Sequence, residues 1–351
     1  MSLQTESSTT PLPDSILRLH HARNQHQLRT TAGLAAVVTG LVLLTLMTGE
    51  RWYGLDTVLA VLSGDQIPGA SFTIGELRLP RVVLGVLAGA AFGLAGVIYQ
   101  TLLRNSLASP DIIGVSGGAS AAAVFALVVL NWSGTAVSLL ALAGAVATAL
   151  AAYFLAARGG VVPTRIILIG LGLAAMLQSV IAYLLSRAPQ WDIQSALQWM
   201  TGSLNAAAWD RIGPLALVTA VLIPLLLARG NDLGMLRLGD DTATALGVRT
   251  NSTRLILLLG ATVLLATATA ATGPIAFVAF MAGPIAGRIT VPGSNLLVPA
   301  MLVGAALVLG GDLVGQVVLP DRMPVGVVTG AIGAPFLLAL LVRAQRQGNL
   351  R

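Results

Sequence analysis

The chain has no cysteine, no lysine, and no histidine beyond residue 26. The first absence excludes disulfides, thiolate metal sites and a cysteine nucleophile. The second excludes a standard P-loop, whose lysine must sit on the nucleotide phosphates; all 20 basic residues are arginine. The third leaves His20, His21 and His26 ahead of the first apolar run, so no imidazole lies in an apolar segment. Charge is scarce as well: 10% of residues are charged, against about 25% in a soluble domain. That is too little polar material to give 351 residues a water-facing skin. What fills the chain instead is apolar, 56% of residues, with a mean hydropathy of +0.85. The class is polytopic membrane protein.

Ten apolar segments stand at about 32–49, 82–103, 112–130, 134–157, 163–185, 212–229, 252–271, 275–290, 294–318 and 325–343. Each approaches the ~20 residues that a helix needs to cross a bilayer. The runs do not alternate apolar with polar, as barrel strands do. The expectation is all-α, with about ten transmembrane helices in a single domain at 32–343. A disordered tail at 1–31 precedes it and a short tail at 344–351 follows. No A-x-A cleavage pattern follows the first run, which therefore reads as a retained helix. A metal role for His20, His21 and His26 is weighed against a solvated tail, and the tail is preferred. With the N-terminus in the cytoplasm, 14 arginines fall inside and 6 outside, so both termini are expected in the cytoplasm.

Gly85, Gly89 and Gly93 recur every four residues and form one flat stripe, the means by which membrane helices approach closely. Polar side chains within the apolar segments are few: Gln100 and Asn105 near the end of the second, Gln178 in the fifth, Asp312 and Gln316 in the ninth. Only Asp312 is ionisable. A bare metal ion wants an oxygen- or imidazole-rich cage, and an ion-driven carrier wants a carboxylate relay; one peripheral aspartate supplies neither. No metal or cofactor site is expected, and the cargo must carry any metal already wrapped.

Between the sixth and seventh segments, at 231–250, Asp240 and Asp241 open a short helical pattern that Gly247 ends. Leu238, Thr242, Ala245 and Leu246 form an apolar ridge on it. Such a ridge fits either a partner's groove or the lipid surface.

Several blocks together resemble the FecCD-type permease family. They are Arg78-Leu79-Pro80-Arg81, the run from Gln100 to Ala119, Trp199-Met200-Thr201-Gly202-Ser203-Leu204, Leu238-Gly239 to Leu246-Gly247, Gly273 to Phe280, and Met323 to Phe336. They cover about residues 50–343 in the family's order. The chain departs at Ser106, where the family often has proline, at Gly283-Pro284, where a Pro-His pair is common, and at Gln316, where cobalamin-type permeases carry arginine.

The resemblance implies a type II ABC importer permease for ferric siderophores. It implies a second permease, two cytoplasmic ATP-binding subunits and an external substrate-binding lipoprotein as partners, with no nucleic acid. It maps coupling to the ATPases onto Leu238, Gly239, Asp240, Ala243, Leu246 and Gly247. Docking of the binding protein maps onto Arg78 and Arg81, with Arg322 in place of the missing ninth-segment arginine. The translocation pathway maps onto Gln178, Ser179, Trp199 and Ser203. Arginine suits docking because its fork meets a carboxylate bidentately; interfacial anchoring is the plainer reading of Arg78 and Arg81, and interhelical bonding that of Gln178 and Ser179. A cobalamin or haem importer of the same family and, in a different class, a secondary carrier are the alternatives. A membrane-embedded hydrolase is excluded for want of a nucleophile–base pair.

Overall fold

A computed structural model describes residues 14–156 and 163–348, and among them every regular element is helical. In chain order these are α1 (Asp14–Met47), α2 (Leu55–Leu62), a π-helical stretch Phe72–Arg78 that runs into α3 (Leu79–Leu102), and α4 (Val115–Val128). Next come α5 (Thr135–Ala156), α6 (Pro163–Arg187), α7 (Gln190–Met200) and α8 (Trp209–Ala228). The short α9 (Gly230–Leu236) and α10 (Asp240–Ala245) precede α11 (Thr250–Thr272), α12 (Val278–Ile289), α13 (Leu297–Leu313) and α14 (Val325–Gly348). Among the described residues, eight helices are long and apolar enough to cross a membrane. Two shorter apolar helices, α4 and α12, bring the total to the ten segments read from the sequence.

The glycine stripe of α3 sets the centre of the bundle. Gly89 lies against the backbone of Ala305 and Gly304, Gly93 against Ala300, and Gly96 against Ala279, so α3 packs backbone to backbone on α13 and α12. A methyl group at Gly89 would come within 2.6 Å of the Ala305 Cα. Without a hydrophobic drive between helices in lipid, this closeness is what holds them. Burial follows: 83% of the apolar window of α3 lies inside the protein, against 11% for α6. The helices α1, α6, α8 and α14 turn apolar side chains outward.

Three differences from the sequence reading have physical causes. The tail does not stay unstructured up to residue 31, because α1 already begins at Asp14. Arg23 and Gln27 on its first turns donate to the carbonyls of Gly293 and Asn295, in the loop after α12. Residues 1–13 of that expected tail lie outside the described residues, as does Arg158 of the inner arginine set. At the other terminus α14 continues to Gly348, beyond the expected boundary at 343. The eighth segment is broken: 273–277 is not helical, Phe277 sits at φ 63°, and the helix proper starts at Val278.

Candidate functional site

At one end of the bundle, Arg81 at the start of α3 faces Asp312 on the last turn of α13. Its Nε donates to Asp312 Oδ2 and its Nη2 to Asp312 Oδ1, both at 2.7 Å, a side-on bidentate pair. Asp312 is 2% exposed and the Arg81 side chain 20%. Arg81 Nη2 also donates to Asn205 Oδ1 at 2.8 Å, and Gln316 Nε2 reaches the same oxygen and the Met323 carbonyl, each at 3.5 Å. Two donors thus converge on one amide oxygen of an exposed side chain, the second at the limit of hydrogen-bond distance. Gln316 can reach it because the helix switches to π geometry over Val314–Val318, right after Asp312.

Arg81, Asp312 and Gln316 line a cavity of about 710 Å³ that opens at this end, with Arg51, Arg78, Arg81 and Arg322 set against Glu50 and Asp312. Its mouth is therefore net positive. The three arginines that the resemblance mapped to docking prove unlike. Arg78 is 9% exposed, and its Nη1 and Nη2 donate at 2.7 Å to the carbonyls of Leu46 and Arg51. Its guanidinium also stacks over the Tyr53 ring at 5.0 Å. Buried to 9% exposure and held by those contacts, Arg78 fastens the end of α1 to the start of α3 and presents less of its guanidinium to the cavity than Arg81 does. Arg322 is open and paired with Glu50 at 2.8 Å.

Below the mouth, three of the quoted sequence blocks meet. The Ser203 amide donates to the Thr272 carbonyl at 2.7 Å, and the Gly326 amide to the Gly202 carbonyl at 3.1 Å. Gly202, at φ +67°, packs on Pro274, and Gly273 packs on the Trp199 carbonyl. Irregular backbone within an apolar bundle is tolerated where it is buried or lines a cavity, and here it does both. Beside the junction lies a cavity of about 430 Å³ with Met200, Pro274, Phe277, Phe280 and Leu337 on its walls. Of the residues mapped to the pathway, Trp199 packs into the core and Ser203 takes part in the junction, its Oγ accepting from the Asn205 amide at 3.0 Å. Gln178 and Ser179 sit apart on the exposed face of α6, where Ser179 bonds within its own helix.

The polar group that this cavity does hold is Asp111, which the sequence reading quoted but gave no role. Ser109 Oγ donates to it at 3.1 Å and Ser116 Oγ donates to it as well. Its carboxyl is open to the cavity yet enclosed by apolar walls. That enclosure pushes its pKa above the ordinary 3.8, against the opposing hydrogen bonds from Ser116 and Ser109.

At the opposite end, Asp240 opens α10 and accepts from Arg104 Nη2 at 2.8 Å and from Arg254 Nη2 at 2.9 Å. Arg104 also donates to the Leu236 carbonyl, so one guanidinium spans α9 and α10. Gly239 (φ +113°) and Gly247 (φ +88°) turn the chain at either end of α10 with open space around them. Ala243 is buried beneath the helix. Leu238 is 64% and Leu246 55% exposed, and Thr242 and Ala245 are exposed too, so the ridge points away from the bundle.

The chain matches the model of the FecCD transport family over residues 36–343. It is 38% identical over 314 residues to the ferric enterobactin transport system permease protein FepG of Escherichia coli (strain K12), spanning 89% of this chain and 94% of that protein. It is 38% identical over 339 residues to the achromobactin transport system permease protein CbrC of Dickeya dadantii (strain 3937), spanning 94% and 97%. Among solved structures it is similar to an inward-facing metal-chelate type ABC transporter, with a TM-score of 0.80 at 24% identity over 90% of this chain and 99% of that one.

Proposed function

We propose that this chain, which belongs to the FecCD transport family, is the membrane permease of an ATP-driven importer that moves ferric siderophore complexes across the cytoplasmic membrane by alternating access. Relatives named for ferric enterobactin and achromobactin transport, matched over nearly their whole length, support the cargo class. The Asp240 end is taken as cytoplasmic, in keeping with the arginine bias.

The observation that carries the reading is the exposed ridge of Leu238 and Leu246, which flank the short helix α10 that Arg104 and Arg254 clamp through Asp240. Apolar side chains presented to water on a fixed support call for a partner surface. A chain without a P-loop lysine needs a separate ATPase to occupy that place. Leu238, Gly239, Asp240, Ala243, Leu246 and Gly247 are thus assigned to coupling.

The net positive mouth receives acidic groups of an external binding protein, with Arg81 and Arg322 as the reaching arginines and Arg78 as their anchor. The outward apolar faces of α6 and α14 close against a second permease. Two ferric enterobactin permeases of one organism, FepG and FepD, both resemble this chain, which supports pairing of paralogues. Gln178 and Ser179 then face the passage between the two permeases. ATP binding draws the α10 helices together and rocks the packed helices between outward and inward states.

The test is uptake into vesicles that hold the whole complex, with iron and chelator carrying separate labels. ATP-dependent accumulation of both labels together is expected. Uptake driven by an ion gradient without ATP would establish a secondary carrier instead. Iron entering without its chelator would show a coordination site on the path.

A further inference from the structure

The guanidinium of Arg81 presents two edges, and they are used differently. The side edge, Nε with Nη2, is taken by Asp312. The end edge, Nη1 with the second Nη2 hydrogen, holds only the Asn205 amide oxygen; Nη1 has no hydrogen-bond partner among the described residues. Asp312 cannot easily let go, because releasing Arg81 would strand a carboxylate that is 2% exposed. Asn205 can, because it is exposed, neutral and free to turn to water.

We propose that Asn205 is an internal placeholder for an incoming carboxylate. Asp312 fixes Arg81 with its end edge toward the mouth, and a partner's carboxylate takes that edge bidentately by displacing Asn205. The exchange replaces a neutral acceptor with a charged one, and charge-assisted bonds are about twice as strong as neutral ones. Displacement is felt further in. The Asn205 amide is tied to Ser203, whose own amide holds the Thr272 carbonyl at the break between α11 and α12. Gln316, the second donor to Asn205, also holds Met323 next to the start of α14. Freeing the Asn205 side chain leaves that backbone bond in place but removes one of the two acceptors of Gln316, the residue that holds the approach to α14. Asn205 is a positioning residue, acting through Arg81.

The proposal rests on the docking reading of Arg81, and the test separates the two. The full complex in lipid is titrated with its binding protein at low salt, and affinity is read together with stimulation of ATP hydrolysis by the loaded binding protein. Arg81→Gln alone tests docking: unchanged affinity in that variant overturns the docking reading. Asn205→Ala removes the competitor. We expect about tenfold tighter association, the size of one hydrogen bond, with weaker stimulation because the side-chain link to Gln316 is lost. Asn205→Asp occupies the end edge permanently, so association should fall at least tenfold and recover little at pH values where carboxylates stay ionised. In the Arg81→Gln background, Asn205→Ala should change nothing. If Arg81→Gln weakens association but Asn205→Ala weakens it too or leaves it unchanged, Asn205 is only a structural member of the mouth and the placeholder role is overturned.

Discussion

Two aspartates hold arginines at opposite ends of this bundle, and their surroundings differ by a factor that decides what each can do. Asp312 is 2% exposed and takes one arginine side-on; Asp240 is 49% exposed and takes two arginines, end to end across a turn. An ion pair in the open contributes about 0–1 kcal/mol and is screened by salt. A buried one adds little net stability, yet breaking it is costly, because the partner left behind has no water to replace it. So the Asp312 pair behaves as a rivet between α3 and α13. The open Arg104–Asp240 pair is only a weak guide for α10, although the second arginine on Asp240, Arg254, is itself 10% exposed.

The largest expected effect tests that contrast directly. Arg81→Ala, which strands Asp312 at 2% exposure, should destabilise the protein by about 3–5 kcal/mol, and Arg104→Ala, which breaks a pair open on both sides, by no more than about 1 kcal/mol, read as thermal unfolding in the same lipid or detergent. Equal losses in the two variants would remove the distinction between rivet and guide.

The glycines at the two ends sharpen it next. Gly202 and Gly239 both have positive φ, but a methyl at Gly202 meets the Pro274 backbone, whereas at Gly239 the nearest atom is 4.0 Å away. Gly239→Ala should then cost only the strain of a backbone conformation that essentially only glycine adopts, about 1–3 kcal/mol. Gly202→Ala adds to its own positive-φ strain a clash with backbone that cannot rotate aside, and should cost clearly more. Unfolding curves of the pair measure the difference.

A third change separates function from stability. Leu246→Glu puts a charge on the exposed ridge, so the unfolding midpoint should stay within about 0.5 kcal/mol of the parent. ATP-driven uptake should fall to background. Normal uptake in this variant and in Gly239→Glu would take the ridge out of the coupling assignment.

The smallest effect concerns a third aspartate. Asp111 has hydroxyls and apolar walls around it but no arginine. Its pKa is raised above 3.8, so the folded state favours the neutral acid more than the unfolded chain does. Its contribution to stability is therefore fully present below the ordinary value and is lost as pH rises through the raised one. Asp111→Asn should flatten the decline in stability over that window, measured as unfolding midpoint against pH. An unchanged slope would mean that the carboxyl is solvated as an ordinary surface group.

Much of this was legible in the letters. A composition with 10% charge and ten apolar runs leaves little but a helical membrane bundle, since in lipid each span must satisfy its own backbone. The four-residue spacing of Gly85, Gly89 and Gly93 announced the packing stripe. The ridge from Leu238 to Leu246 could be read because caps and turns are local. Arg78 could not be told from Arg81. Both are arginines beside the same proline, and only the chain from Leu46 to Arg51, folded back over it, consumes the first and leaves the second an edge to offer. Asn205 gave no sign at all, being one polar residue in a loop.

The sequence by itself determined the solvent of this protein, its class, the number of its spans and the family it belongs to, because hydropathy, breaker residues and short motifs act over a few neighbouring residues. Only the tertiary structure decided which arginine is spent, which aspartate is buried, and that blocks near residues 202, 273 and 326 close on one junction. Those outcomes depend on partners 27 to 231 positions away in the chain, and no local pattern carries the distance between groups that meet only when the helices pack.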